Sequence, residues 1–135
     1  MPFVLDASVT ASWAFPDESD PVAERAASLL EAGNEAALVP SLWWYEVRNT
    51  LLSAERRGRT SQTRSTEFLE LLRDIRIQIC GLPDEERTFA IARRHGLTIY
   101  DAAYLALAIE EQAPIATLDK SLREAARAEG IPLLA

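Results

Sequence analysis

The chain has 135 residues, enough for one compact domain, and its 48% hydrophobic content supplies a core, which excludes a disordered chain. Its 14 Lys and Arg against 21 Asp and Glu leave a net charge of −7, the reverse of the basic footprint usual in a nucleic-acid binder. Cys80 and His95 are each alone of their kind, which excludes an internal disulfide, argues against a structural zinc set and leaves Ser-His-Asp or Cys-His catalysis a single histidine.

The start, Met1-Pro2-Phe3-Val4-Leu5-Asp6, has no basic segment and meets a charge after three apolar residues, so it is not read as a signal peptide. Residues 3–5 read as a brief strand. A short helix over 7–15 ends at Pro16, and Pro21 opens a second that stops at Gly33. Residues 37–39 form the next strand, and Ser41 is expected to cap a long helix that Gly58 closes. A helix over 61–74 gathers Phe68, Leu69, Leu71, Leu72 and Ile75 on one face. Ile75, Ile77 and Ile79 alternate with Arg76 and Gln78, which is the period of a strand.

Pro83 starts a further helix ending at His95-Gly96, and 100–111 is an Ala- and Leu-rich helix. Residues 114–117 read as a strand, 121–129 as a short helix and 131–134 as a last edge strand. The longest runs free of charge, 7–16 and 36–45, are far short of the ~20 residues a spanning helix needs. A reducing cytoplasm is the simplest compartment for such a chain.

Short strands separated by helices imply a central, mainly parallel sheet covered on both faces, a three-layer α/β/α sandwich in a single domain. In such sheets ligands bind beyond the carboxyl ends of the strands. Asp6 directly follows the first strand, Asp119 follows the strand at 114–117, and Glu46 and Asp101 lie near helix starts. A parallel topology would bring Asp6, Glu46 and Asp119 to one rim, and Asp101 with them if its helix starts on that side.

Each acid also has a structural reading. Asp6 and Asp119 are favoured helix caps, Thr98 and Asp101 approximate a capping box, and Glu46 fits a solvated helix face. Together they suit a metal site better, because caps have no reason to share a rim. Gathered carboxylates repel and hold their protons unless a cation is present. Mg²⁺ or Mn²⁺ prefers carboxylate oxygen, and one or two such ions activate a water for in-line displacement at a phosphate. Ser8 and Thr117 flank two of the acids and could orient them, and Asn49 shares a helix face with Glu46.

The set LDAS (5–8), Glu46 within YEVRNTL (45–51), IYDAAYLALA (99–108) and ATLDK (116–120) resembles the PIN domain. More narrowly it resembles the VapC-type ribonuclease toxins of type II toxin–antitoxin pairs, over nearly the whole of 1–135. The resemblance implies a Mg²⁺- or Mn²⁺-dependent endoribonuclease that cleaves RNA with an acidic quartet of Asp6, Glu46, Asp101 and Asp119, supported by Ser8, Thr117 and, less closely, Asn49. It also implies a homodimer and inhibition by a VapB-like antitoxin. Some relatives carry another acid shortly after the last Asp, whereas Leu122 and Arg123 stand here.

Lys120 and Arg123 follow Asp119 and are the basic residues expected to touch RNA near the site. The helix over 22–30, with Trp13, Trp43, Trp44, Phe68 and Leu72, is either part of a dimer or antitoxin interface or simply core. Two rival functions stand beside the nuclease. A haloacid-dehalogenase-type phosphohydrolase would need a second Asp where Ser8 stands, and a non-catalytic assembly module would use the acids as caps.

Overall fold

A computed structural model describes residues 1–134. Four strands, β1 (Phe3–Leu5), β2 (Ala37–Pro40), β3 (Ile77–Cys80) and β4 (Ile115–Ala116), form one sheet in the order β3-β2-β1-β4, with every pairing parallel. Seven helices connect and cover them: α1 (Ala7–Trp13), α2 (Pro21–Glu31), α3 (Leu42–Arg56), α4 (Gln62–Arg73), α5 (Glu85–His95), α6 (Ile99–Glu111) and α7 (Lys120–Ala128). The expected α/β sandwich around a parallel sheet is the observed architecture.

The composition of each element follows its place. Inner strands β1 and β2 are buried along their whole length, so they read as unbroken apolar runs. Strand β3 lies at the edge, with Ile77 and Cys80 half-buried and Gln78 and Ile79 exposed, so polar residues are tolerated there. Helix α6 is buried from Ala102 to Ala108, as a helix apolar all round must be. It lies against β1 and β2 and between α5 and α7, while α1 packs on α2 and α3, and α3 on β2.

Local chemistry sets the helix ends. Asp20 accepts a 2.8 Å bond from the Val22 N–H with Pro21 in the first turn, and Asp84 caps α5 through the Arg87 N–H at 2.8 Å. Gly96, at φ 64°, ends α5 in the left-handed region. The expected Ser41 cap is different: Ser41 precedes α3 in helical conformation and its hydroxyl makes no capping bond. A helical φ/ψ carries that hydroxyl away from the N–H groups it would have to reach.

One further expectation is corrected, and one alternative left open by the sequence is decided. The last segment is shorter than a strand: among the described residues only Leu133 bridges to Ile115, because Pro132 has no N–H to extend the ladder. Trp43 is core and not interface; it is 4% exposed and its indole donates to the buried Thr10 hydroxyl at 2.9 Å. Trp13 is likewise occupied, donating to the Ala23 carbonyl at 2.9 Å.

Beyond α7, Glu129 accepts 2.6 Å bonds from Arg94 and His95 at the end of α5. These bonds, His95 first and Arg94 next, hold its carboxyl below the usual carboxylate range. A depressed carboxylate stabilises the fold above its ordinary range and loses that contribution as pH falls through its folded value. Glu129→Gln is therefore expected to lower stability at pH 7 by about 1 kcal/mol, with the gap to wild type closing below about pH 4 in denaturant titrations.

Candidate active site on the carboxyl rim of the sheet

The strand order decides where the acids meet. The chain leaves β1 toward β2 on one side, while the connection from β3 crosses over to β4 on the other, which opens a crevice at the carboxyl end of β1. Leu5 pairs with Ala116, which sets Asp6 beside Thr117 at the end of the ladder. The Asp6 N–H donates to the Ala116 carbonyl at 3.0 Å. Helix α3 begins just past β2 and carries Glu46. Helix α6 leads into β4 and so runs back across the sheet, which places Asp101, in its first turn, on the same rim.

Asp6, Glu46, Asp101 and Asp119 line one cleft of about 240 Å³, together with Ala7, Ser8, Ala11 and Thr50. All four acids predicted from sequence are brought together, and no basic side chain is among the cleft residues. Asp6 is the deepest, 6% exposed. Its Oδ2 accepts from the Ser8 hydroxyl at 2.6 Å and the Thr117 hydroxyl at 2.7 Å. Those hydroxyls are themselves held, since the Leu118 N–H donates to Ser8 Oγ and the Asp119 N–H to Thr117 Oγ1, both at 3.0 Å. One network thus ties the end of β1 to the loop after β4.

Tyr104 was not foreseen as a site residue. Its hydroxyl donates to Glu46 Oε1 at 2.7 Å, joining α6 to α3 across the rim. The signal was present: Tyr104 is three residues after Asp101, on the same helix face, and is the one residue with a polar tip in an otherwise aliphatic run. Asn49 is exposed and does not line the cleft; Lys120 and Arg123 stand in the first turn of α7, outside it.

The acids also perform structural work. Asp119 caps α7, its Oδ1 accepting from the Leu122 N–H at 3.1 Å, and Thr98 caps α6 through the Asp101 N–H at 3.1 Å. Asp6 occupies the cap position of α1 but makes no side-chain cap. That carboxylate is spent on the two hydroxyls.

The electrostatics are those of crowded acids. Burial pushes Asp6 up from the ordinary carboxylate value, the Ser8 and Thr117 hydroxyls oppose it, and the Asp119 charge adds to the rise. Glu46 is raised by burial, against the Tyr104 bond, and further by Asp6 and Asp101. Asp101 is raised by burial and by Asp119 and Asp6. The Tyr104 phenol is driven far above its usual range by burial and by the charges of Asp6 and Glu46, so it remains a donor.

Such a donor set fits a hard divalent cation, which is oxygen-seeking and removes the repulsion. Among the described residues, no three acids, thiols or imidazoles close on one point as a dry cage would. A cation that keeps several waters and takes one or two carboxylates directly does not need such closure.

A family model for the PIN domain matches residues 3–128. The chain is 35% identical over 127 residues to Ribonuclease VapC3 of Pyrobaculum aerophilum, covering 92% of this chain and 94% of that protein. Among solved structures it resembles PAE2754 from Pyrobaculum aerophilum, with a TM-score of 0.72 at 20% identity over 93% of this chain and 84% of that one. VapBC2 from Rickettsia felis, bound to a DNA fragment from its promoter, gives 0.64 at 18% identity over 98% and 97%. VapC20 of Mycobacterium tuberculosis, a sarcin-ricin loop cleaving toxin, gives 0.61 at 14% over 91% and 94%. At these identities the structural likenesses speak for the fold alone. The family rests on the model match and on the relative with a third of its positions identical across most of both chains: this chain belongs to the PIN-domain family.

Proposed function

We propose that residues 1–135 form one PIN domain acting as a Mg²⁺- or Mn²⁺-dependent endoribonuclease, the toxin of a type II toxin–antitoxin pair. The observation that carries this reading is the cleft in which Asp6, Glu46, Asp101 and Asp119 meet with no positive side chain among them. The 35% identity to a VapC ribonuclease supports RNA as the substrate. A phosphohydrolase of the haloacid-dehalogenase type is disfavoured, because Ser8 spends its hydroxyl orienting Asp6 where that chemistry needs a second carboxylate.

One or two bound divalent cations would supply an activated water and offset the charge that grows on the scissile phosphate during in-line displacement. The residues of the chain do the rest. Asp6, Asp101, Asp119 and Glu46 would hold the cation, one or two of them directly and the others through its waters. Ser8 and Thr117 lock the Asp6 carboxylate by two bonds to Oδ2, and Tyr104 locks Glu46. Lys120 and Arg123, beside Asp119, suit the RNA backbone, and Asn49, midway along α3, is the weakest of the supporting residues.

The partners follow the same reading. A VapB-like antitoxin, a homodimer and a cytoplasmic location follow from the resemblance to VapC-type toxins, which the 35% identity to a VapC ribonuclease supports. No helix among the described residues is long and apolar enough to cross a membrane.

Three outcomes test the proposal. Asp6→Asn and Asp101→Asn should each abolish Mg²⁺-dependent RNA cleavage with an unchanged circular dichroism spectrum; full cleavage by either variant would overturn the assignment. Tyr104→Phe should stay folded and lose about 10- to 100-fold in activity at limiting Mg²⁺, recovering in part at high Mg²⁺. The raised acids keep protons in the folded state that the unfolded chain has released, so the metal-free protein loses stability as pH rises through that window. The rise in Tm produced by Mn²⁺ should accordingly be larger at pH 7.5 than at pH 5, and an equal rise at both would count against carboxylate ligation.

A further inference from the structure

Two helices wall the carboxylate cleft. On one side stand Ala7, Ser8 and Ala11 of α1, with Asp6 just before them; on the other stand Glu46 and Thr50 of α3. The tips of these acids are tied elsewhere, Asp6 to Ser8 and Thr117 and Glu46 to Tyr104 on α6. Between α1 and α3 themselves, one side-chain hydrogen bond exists among the described residues, from the Trp43 indole to the Thr10 hydroxyl at 2.9 Å. Both ends are sealed from water, with Thr10 0% and Trp43 4% exposed.

The bond sits where it can gauge the cleft. Thr10 is one turn past Asp6, whose carbonyl accepts from the Thr10 N–H at 3.4 Å. Trp43 stands three residues before Glu46, one turn away on the same helix. The path from Asp6 through Thr10 and Trp43 to Glu46 therefore needs one helical turn on each side and a single directional contact. Apolar packing around it is non-directional and fits a small slide of α3 along α1. A hydrogen bond does not, because it weakens steeply with distance and angle. A force for that slide exists, since the charges of Asp6 and Glu46 repel.

We propose that the Trp43–Thr10 bond sets the separation of the Asp6 and Glu46 walls, which makes Trp43 and Thr10 positioning residues for the divalent cation. The inference rests on the metal-nuclease reading and adds what fixes the spacing of the ligands. A metal site holds its ligands within about 0.2 Å of fixed distances, so a slide of that order already weakens it. Removing either partner leaves a buried polar group unpaired, and moving α3 relieves that strain at the expense of the cleft.

The test is the Mn²⁺ affinity of the folded chain, read from the electron paramagnetic resonance signal of unbound Mn²⁺. Thr10→Val keeps the shape and removes the acceptor; it is expected to raise the Mn²⁺ Kd roughly 3- to 10-fold, less than for a group that bonds a ligand directly. Thr10→Ser should keep the wild-type Kd. RNA cleavage by Thr10→Val should return to the wild-type rate at saturating Mn²⁺, because the ligands are intact. Ile91→Ala, in the core on α5 and outside the cleft, is the control for stability alone. It should lower Tm and leave the Kd unmoved. A wild-type Kd in Thr10→Val, an equal rise in Thr10→Ser, or an equal rise in Ile91→Ala overturns the positioning role while leaving the nuclease standing. No Mn²⁺ binding by the wild type overturns the metal reading itself. Should Thr10→Val fail to fold, Trp43→Phe removes the donor instead, and its Kd decides in the same way.

Discussion

The mutual repulsion of carboxylates held at low dielectric governs this molecule. Asp6 is nearly buried, with Glu46, Asp101 and Asp119 around the same cleft. The protein answers that charge only with neutral donors: two hydroxyls on Asp6, a phenol on Glu46 and a backbone N–H on Asp119. Neutral donors orient a carboxylate and ease its ionisation, but they leave its charge in place. The fold therefore maintains a site whose complement must come from outside, and a hydrated divalent cation is the partner that such oxygens select.

Holding the site open in this state costs stability that the core has to offset. Helix α6 carries much of that burden. Its alanines and leucines pack against β1 and β2, and its first turn presents Asp101 to the cleft. Tyr104 combines the two roles, with a buried ring and a hydroxyl on Glu46. The Ser8–Asp6–Thr117 network does the same between β1 and the loop after β4. Site geometry and core packing are thus the same contacts seen from two ends, and loss of one disturbs the other.

The quartet was readable in the chain because each acid follows a strand or opens a helix, and a parallel sheet turns those sequence positions into one place. What failed to read out was decided partly by local backbone geometry and partly by contacts between distant segments. Ser41 has the residue type of a cap, but its backbone is already helical. The apolar pattern of 131–134 suggested a full strand, and Pro132 limits it to a bridge. Trp43 could be read from sequence as interface or core, and Thr10, 33 positions away, decides for the core by accepting from its indole. Asn49 shares the helix of Glu46 yet stays outside the cleft.

The acidic balance of the chain is altered in meaning by this geometry. Part of the −7 is the four acids of the cleft, so under the proposed function it would bear on how RNA is held. The amino-acid order alone determined the alternation of strands and helices, the parallel sheet and the identity of the four acids, because these follow from local periodicity and from one topological rule. Only the tertiary structure decided the strand order that opens the crevice beside β1, the hydroxyls that orient Asp6 and the phenol on Glu46. Those depend on side chains up to 111 positions apart, and no local pattern encodes which of them will meet.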